Sequence, residues 1–419
     1  MTAPIDTSTA ASTFPQRRQH RIALAALGIA TTLLASACGT PATTSHRPAT
    51  TTSTPASSGT ATASATSVAT VSPSATMTSA ATARPTLAPV SDSPAPTILP
   101  AASDLTAYVA ETDGYVVPVD VTTATAETPI KVDQDPSGIA VTPNGQAAFV
   151  ADAGAGTVTP IDLATGTAEA PIQVASNGGI GAVAITPNGA IAVAAVDPTD
   201  NANGSVVFIK VATGAMGSPI PVGDDPVAIA ITPDGSTAYV ANHGDGTITP
   251  VSLDTNTAGA PIPVGVDPIA IAITPDGGVA YVLWGNGHGF ITPVTLAANP
   301  ADDLVGTAFG SIGGAPQGIA IVPGGSFAYA LGGTAAGRMS LPSGAMDPAL
   351  DEVADFMGAA ISPDGTTALL GYTYGDWVDL IGAVPIPSEG VMVVDVSSDA
   401  MTAVIAQTSA PVSIAIRPS

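Results

Sequence analysis

The side chains able to do chemistry in this chain are few, and most stand in short glycine-rich stretches. Trp284 and Trp377 are the two tryptophans. His243 and His288 are the histidines of the C-terminal three-quarters. Around them lie Asp152, Asp197, Asp200, Asp245, Tyr372 and Tyr374, with Asp135, Asp224, Asp225 and Asp267 in Asp-Pro or Asp-Asp-Pro steps between them. Aromatic rings interspersed with carboxylates suit a sugar or a peptide, which they hold by stacking and hydrogen bonding. The bland alternative is that the tryptophans pack between structural elements and the aspartates form turns. His243 and His288 beside Asp245 or Asp200 would suit a metal, but no close ligand spacing supports one. Asp197 and Asp200 with Asn201 would suit Ca2+, yet no Asp-x-Asp-x-Asp-Gly pattern is present, so no cofactor is expected. Catalytic signatures are missing too: there is no Gly-x-Ser-x-Gly, no phosphate-binding glycine loop and no haem Cys-x-x-Cys-His.

Charge narrows the partners. From Asp104 to Ser419 the chain holds 31 Asp and Glu against four basic residues, Lys131, Lys210, Arg338 and Arg417, within a whole-chain net charge of −24. Nucleic acid is excluded as an expected partner, because binding it rests on Lys and Arg neutralising phosphates. Charge also disfavours contact of this region with an anionic membrane. Of the four basic side chains only Arg338 is expected near the functional loops. Aromatic residues are 4% of the chain, so its core must be built mainly from Ala, Val, Ile and Leu.

The elements that position these residues repeat. Asp225-Pro-Val-Ala-Ile-Ala-Ile-Thr-Pro-Asp-Gly-Ser-Thr-Ala-Tyr-Val-Ala-Asn242 reads as a short apolar strand, a Pro-Asp-Gly turn and a second short strand. The turn recurs at Thr142-Pro-Asn-Gly145, Thr186-Pro-Asn-Gly189, Thr232-Pro-Asp-Gly235, Thr274-Pro-Asp-Gly277, Val322-Pro-Gly-Gly325 and Ser362-Pro-Asp-Gly365, and a seventh is cut short at Arg417-Pro-Ser419. Most spacings between the turn prolines lie between 40 and 48 residues, the period of a four-stranded propeller blade. A third strand follows, as in Thr247 to Leu253, and a fourth is expected at Ala260 to Val264, where Pro261 and Pro263 suit an outer edge. Pro160, Pro250 and Pro293 fall inside the third strand, where a bulge is the expected compensation. The last repeat stops after one strand (Val412 to Ile416), while the domain begins at Thr106 to Ala110 without a first strand. Together they make one complete blade. The expected fold is therefore all-β, a seven-bladed β-propeller with four-stranded blades, whose last blade is closed by the N- and C-terminal strands. Leu341 to Asp355 and an insertion at Trp377 to Ser388 break the pattern in the late repeats.

Before the repeats, Arg17, Arg18 and Arg21 precede an apolar run from Ile22 to Leu34. It is too short to span a bilayer but right for a signal peptide. Leu33-Leu-Ala-Ser-Ala-Cys38-Gly39 resembles the lipobox of bacterial lipoproteins, with Ala35 where that family usually has its leucine. The resemblance implies lipidation of Cys38, the chain's single cysteine. Cleavage after Ala37, with Cys38 a bystander, is the alternative. Arg17-Arg18 is also similar to a twin-arginine pair. Gly39 to Ser103 is Ser, Thr, Pro and Ala almost throughout, which predicts an unfolded stalk that suits O-glycosylation. The division expected is thus a signal peptide at 1–38, a stalk at 39–103 and a propeller at 104–419.

Ile-Ala-Ile-Thr-Pro-Asp-Gly-x-x-Ala-Tyr-Val-Ala-Asn resembles the YVTN-type β-propeller repeat of bacterial surface and periplasmic proteins related to YncE and of surface-layer proteins. The resemblance covers about 104–419. It implies that the loops between second and third strands share a ligand-binding face with those leading into first strands, which places both tryptophans and both histidines on one face. It is poor for function, since the fold hosts binders, scaffolds and enzymes. The expectation is an exported, lipid-anchored, monomeric propeller on the outer side of the cytoplasmic membrane. It would bind or scaffold through the loop face, with an envelope glycan or envelope protein as partner and membrane contact through the anchor alone. The alternative is a lactonase-type propeller hydrolase, for which charged side chains must converge on the central channel.

Overall fold

The computed structural model describes residues 105–418 apart from 177, 199–202, 286, 313, 334, 352–354 and 374–386. The signal peptide, Cys38 and the stalk lie outside the described residues. So do Asp200, Asn201, Tyr374 and Trp377.

The described residues form seven antiparallel sheets. Blade 1 takes its innermost strand from the C-terminus: Pro411–Ile416 pairs with Thr106–Glu111, matching Ala107 to Ile416 and Val109 to Ile414. Its third strand is Tyr115–Asp120. Blades 2 to 7 then follow in sequence order, with innermost strands at Pro136–Val141, Gly178–Ile185, Pro226–Ile231, Pro268–Ile273, Pro316–Ile321 and Asp355–Ile361. Each innermost strand packs beside the next, and Asp355–Ile361 packs on Pro411–Ile416, so the circuit closes. The seven-bladed fold and the terminal closure are as expected. Closure removes the free edge an open ring would leave.

Both faces of every blade are covered, which explains why the second strands read as unbroken apolar runs rather than alternating ones. In blade 4, Tyr239 and Ala241 face a cluster shared with blade 5, while Val240 faces one shared with blade 3. Seven such clusters fill the seven interfaces.

The Pro-Asp-Gly turns have a second role. The Thr232 hydroxyl donates to the Asp234 carboxylate at 2.6 Å, the Ser236 N–H donates to the same carboxylate at 3.0 Å, and Gly235 sits at φ +72°. A Cβ on Gly235, Gly277 or Gly325 would stand in van der Waals contact with Pro187, Pro233 or Pro275 of the preceding turn, at 3.5, 3.4 and 3.4 Å. Consecutive turns therefore pack proline against glycine as a collar on one side of the ring, hereafter the turn face.

The prolines inside third strands are also explained, and one strand expectation is corrected. Pro118, Pro160, Pro250 and Pro293 stand opposite Tyr108, Phe149, Tyr239 and Tyr281. In an antiparallel strand a residue's nitrogen and carbonyl lie on the same edge. The Pro250 carbonyl accepts from the Gly259 N–H at 2.7 Å, so its hydrogen-free nitrogen also faces the fourth strand. That strand is not continuous over 260–264. It is two short pieces, Thr257–Ala258 and Ile262–Pro263, with a detour between them. Blade 7, with Val393 at this position, has a fourth strand that continues through a register shift over Ala400–Ala406, whereas blade 3, with Phe208 there, makes the same detour from a Met216 bridge to Ile220–Pro221, so the detour tolerates the proline rather than depending on it. The stretch from Leu341 that breaks the repeat pattern contains the fourth strand of blade 6, Met346–Asp351.

Candidate functional site

The opposite, loop face is built by second strands ending beside the loops that lead into their own first strands. The residue ending the run Ala-Tyr-Val-Ala-x occupies the same place in each blade: Glu111, Asp152, Val196, Asn242, Trp284, Gly332 and Tyr372. What this position does differs sharply between blades.

In blade 4 it is Asn242, fully buried. Its Nδ2 donates to the Thr249 hydroxyl at 2.8 Å and the Thr247 hydroxyl at 3.0 Å, and its Oδ1 accepts from the Gly223 N–H at 3.1 Å. The loop beyond is tied down as well. The His243 N–H donates to the Asp225 carbonyl at 2.9 Å, His243 Nδ1 lies 3.1 Å from the Asp225 carboxylate, and Asp245 accepts from the Asp224 N–H at 2.8 Å. Asp225 holds φ +51° immediately before Pro226, a left-handed conformation that Asp tolerates better than most residues.

In blade 2 the position is Asp152. The Thr159 hydroxyl donates to it at 2.6 Å and the Thr157 hydroxyl at 3.3 Å, but Oδ1 has no hydrogen-bond partner. Burial pushes its carboxyl up to about 7, the two threonine bonds oppose the rise, and the charge of Asp133 adds to it. Glu111 of blade 1 is raised for the same first cause, burial, and its Oε1 is likewise without a partner.

In blade 5 the position is Trp284. Its Nε1 donates to the Thr292 hydroxyl at 2.7 Å, and that hydroxyl donates to the Val264 carbonyl at 2.7 Å. The indole lies on Gly265, where a Cβ would stand 2.2 Å from the ring. Phe290, its cross-strand partner, stacks on it with centroids 4.9 Å apart and planes at 28°. Phe290 is 37% exposed and Val266, next to Gly265, is 62% exposed. Four of the five large exposed hydrophobic side chains among the described residues, Val266, Phe290, Leu304 and Val305, belong to blade 5 or the loop leading into it; the fifth is Met216.

The expected site residues therefore separate. Trp284, His243, Asp245 and His288 stand on the loop face of blades 4 and 5, with Asp245 and His288 exposed. Asp197 is half-buried near the end of its strand in blade 3. Two of the expected residues are not accessible to a ligand. Asp152 is sealed beneath the loops, and Tyr372 is buried with its hydroxyl donating to the Pro387 carbonyl at 3.2 Å. Asp152 ends, and Tyr372 stands one residue from the end of, a strand whose two faces are covered by neighbouring blades. Arg338 is also misplaced by sequence reasoning. It lies on the turn face, paired with Asp399 at 2.8 Å and stacked over Phe327. No group of three or more His, Cys, Asp or Glu close enough for a metal occurs among the described residues. The innermost strands carry a single charged side chain among the described residues, Asp355, so they bring no charge cluster to the channel. Sequence reasoning missed Phe290 and Val266. Counting register back from the Tyr281–Pro293 pair would have set Phe290 opposite Trp284.

Comparison with known proteins supports the fold. The family model of the choice-of-anchor I domain matches residues 137–260, which run from blade 2 into the fourth strand of blade 4. No curated protein matches the chain. Among solved structures, a functionally unknown protein from Desulfotomaculum acetoxidans DSM 771 superposes with a TM-score of 0.60 at 20% identity, covering 76% of this chain and 100% of that one. Kuenenia stuttgartiensis hydrazine synthase superposes with a TM-score of 0.57 at 20% identity, covering 68% of this chain and 90% of that one.

Proposed function

We propose that this propeller is a binding or scaffold module of the cell envelope that engages an envelope glycan or envelope protein through the loop face of blades 4 and 5. The observation that carries the reading is the Trp284–Phe290 stack, in which Phe290 is exposed at the rim and Trp284 is half-buried on Gly265. With Val266, Leu304 and Val305 it concentrates four of the five large exposed hydrophobics among the described residues on one blade and its entry loop, and such concentrations mark interaction sites. A surface location is supported by the partial match to a choice-of-anchor domain and by the sequence of the first hundred residues, with Cys38 lipidated and residues 39–103 acting as the spacer.

The test uses the full chain and its tryptophan emission. Envelope glycans, peptides and Ca2+ are titrated in turn. A saturable change that disappears in Trp284→Phe supports a ligand on this face. A flat response to every member of the panel overturns it. Labelling cells with a clickable fatty acid tests the anchor: the wild-type chain carries label in the membrane fraction, and Cys38→Ser carries none.

A further inference from the structure

The loop face of blades 4 and 5 combines two properties that together select one class of occupant. The first is the aromatic ledge. Gly246 of blade 4 lies against Gly265, so the loop holding Asp245 adjoins the Val266–Trp284–Phe290 patch. The ledge thus stands beside the junction of the two blades, with Asp245 on the loop that adjoins it and Asp267 next to Val266 in sequence, while Asp224 lies on the loop that packs against Gly204 of blade 3. Asp225 is engaged by His243, whereas Asp245 is an exposed carboxylate that accepts one backbone N–H.

The second property is the placement of positive charge. Of the four basic residues of the propeller, Arg338 is paired to Asp399 on the turn face and Arg417 packs on the Gly145 turn of that same face. Lys210 closes the Thr213–Gly214 turn there as well, and Lys131 lies over Tyr115 on the outside of blade 1. None stands at the crevice, which therefore presents carboxylates and a ring face with no lysine or arginine to neutralise them. An aromatic face attracts a cation most strongly where carboxylates add to the potential.

We infer that the crevice between blades 4 and 5 takes a lysine- or arginine-bearing extended segment of an envelope protein, one cationic side chain lying over Phe290 and its neighbours meeting Asp245 and Asp267. This rests on the reading that the loop face binds, and narrows its partner from glycan or protein to a basic peptide segment. Acidic glycans and anionic lipids are repelled by the same carboxylates.

The test titrates the full chain with a dye-labelled decapeptide of alternating lysine and glycine, its glutamate counterpart and a neutral chitin oligosaccharide, each at about 50 mM and about 300 mM NaCl. The expected result is saturable binding of the lysine peptide alone, weakened at least tenfold by the higher salt and about fivefold by Phe290→Ser. Phe290→Ser leaves the net charge untouched, so it separates a site from the diffuse field of an acidic protein. Its melting temperature, measured alongside, is expected to stay within a few degrees of wild type. Lysine-peptide binding indifferent to Phe290→Ser overturns the inference. Binding of the neutral oligosaccharide alone overturns it too, while leaving the loop face as a binding site. No change with any of the three sinks both this inference and the broader reading.

Discussion

Blades 4 and 5 share a backbone and differ in what they show to solvent. Their strands pair in the same register, Tyr239 with Pro250 and Tyr281 with Pro293, and Pro226 with Asn242 as Pro268 with Trp284. The hydroxyl at the head of the third strand, Thr249 or Thr292, receives an N–H in both. In blade 4 that N–H comes from a side chain small enough to stay inside. In blade 5 it comes from an indole, and the remainder of the ring has nowhere to go but over Gly265 and out to the rim. One exchange of Asn for Trp, under an unchanged hydrogen-bonding demand, turns a sealed joint into an aromatic ledge.

The comparison can be broken most forcefully beneath the ledge. Gly265→Val would put side-chain atoms into the indole at a φ of +150°. The expected loss is about 3 kcal/mol, from overpacking and backbone strain together, read from denaturant melts. Trp284 emission should also shift to the red. Unchanged stability would mean that the indole does not rest there.

Blade 2 offers the next test, because Asp152 stands where blade 4 has Asn242. A carboxyl held up to about 7 in the fold, against 3.8 ordinarily, binds its proton more tightly when folded. Its contribution is fully present below pH 4 and is lost as pH rises through about 7. Asp152→Asn should therefore stabilise the protein by about 2 kcal/mol at pH 8, allowing for local relaxation around the buried carboxylate, and should flatten stability between pH 4 and pH 7. If the wild type and the variant have parallel pH profiles, Asp152 is not the titrating group.

Smaller effects sharpen the blade 4 and blade 5 contrast. Asn242→Ala strands the Gly223 N–H and two threonine hydroxyls, and should cost about 2 kcal/mol. Trp284→Asn gives blade 5 the polar joint of blade 4, and should cost about 1 kcal/mol or less while removing the ledge. A larger loss in Trp284→Asn than in Asn242→Ala would show that the ledge is structural rather than displayed. His243→Gln is the smallest change expected, within about 0.5 kcal/mol, since the His243–Asp225 pair is about a quarter exposed and screened by water. Thermal melts at two salt concentrations check it.

Much of the architecture was legible because it is written in local chemistry and then repeated. A Pro-Asp-Gly turn needs those residues at those places whatever surrounds it, and seven recurrences at a blade-like period specify the ring. The terminal closure followed from counting strands. The prolines of the third strand were readable as residues without ladder donors, but which edge lost its hydrogen bond depended on pairing. The candidate site was less legible. Trp284, Asp152 and Asn242 follow the same kind of strand in sequence, and nothing local says that one reaches the rim while the others are sealed.

By itself, the sequence of this protein determined the repeat, the turn chemistry, the acidic balance and the seven-bladed closure, since each depends on neighbours along the chain or on composition. Only the tertiary structure decided that Asp152 is buried with one oxygen unpartnered, that Arg338 belongs to the turn face, and that Phe290 stacks on Trp284 above Gly265. Those outcomes depend on which blade packs against which loop, and burial, pairing and exposure are properties of that packing rather than of any one stretch of chain.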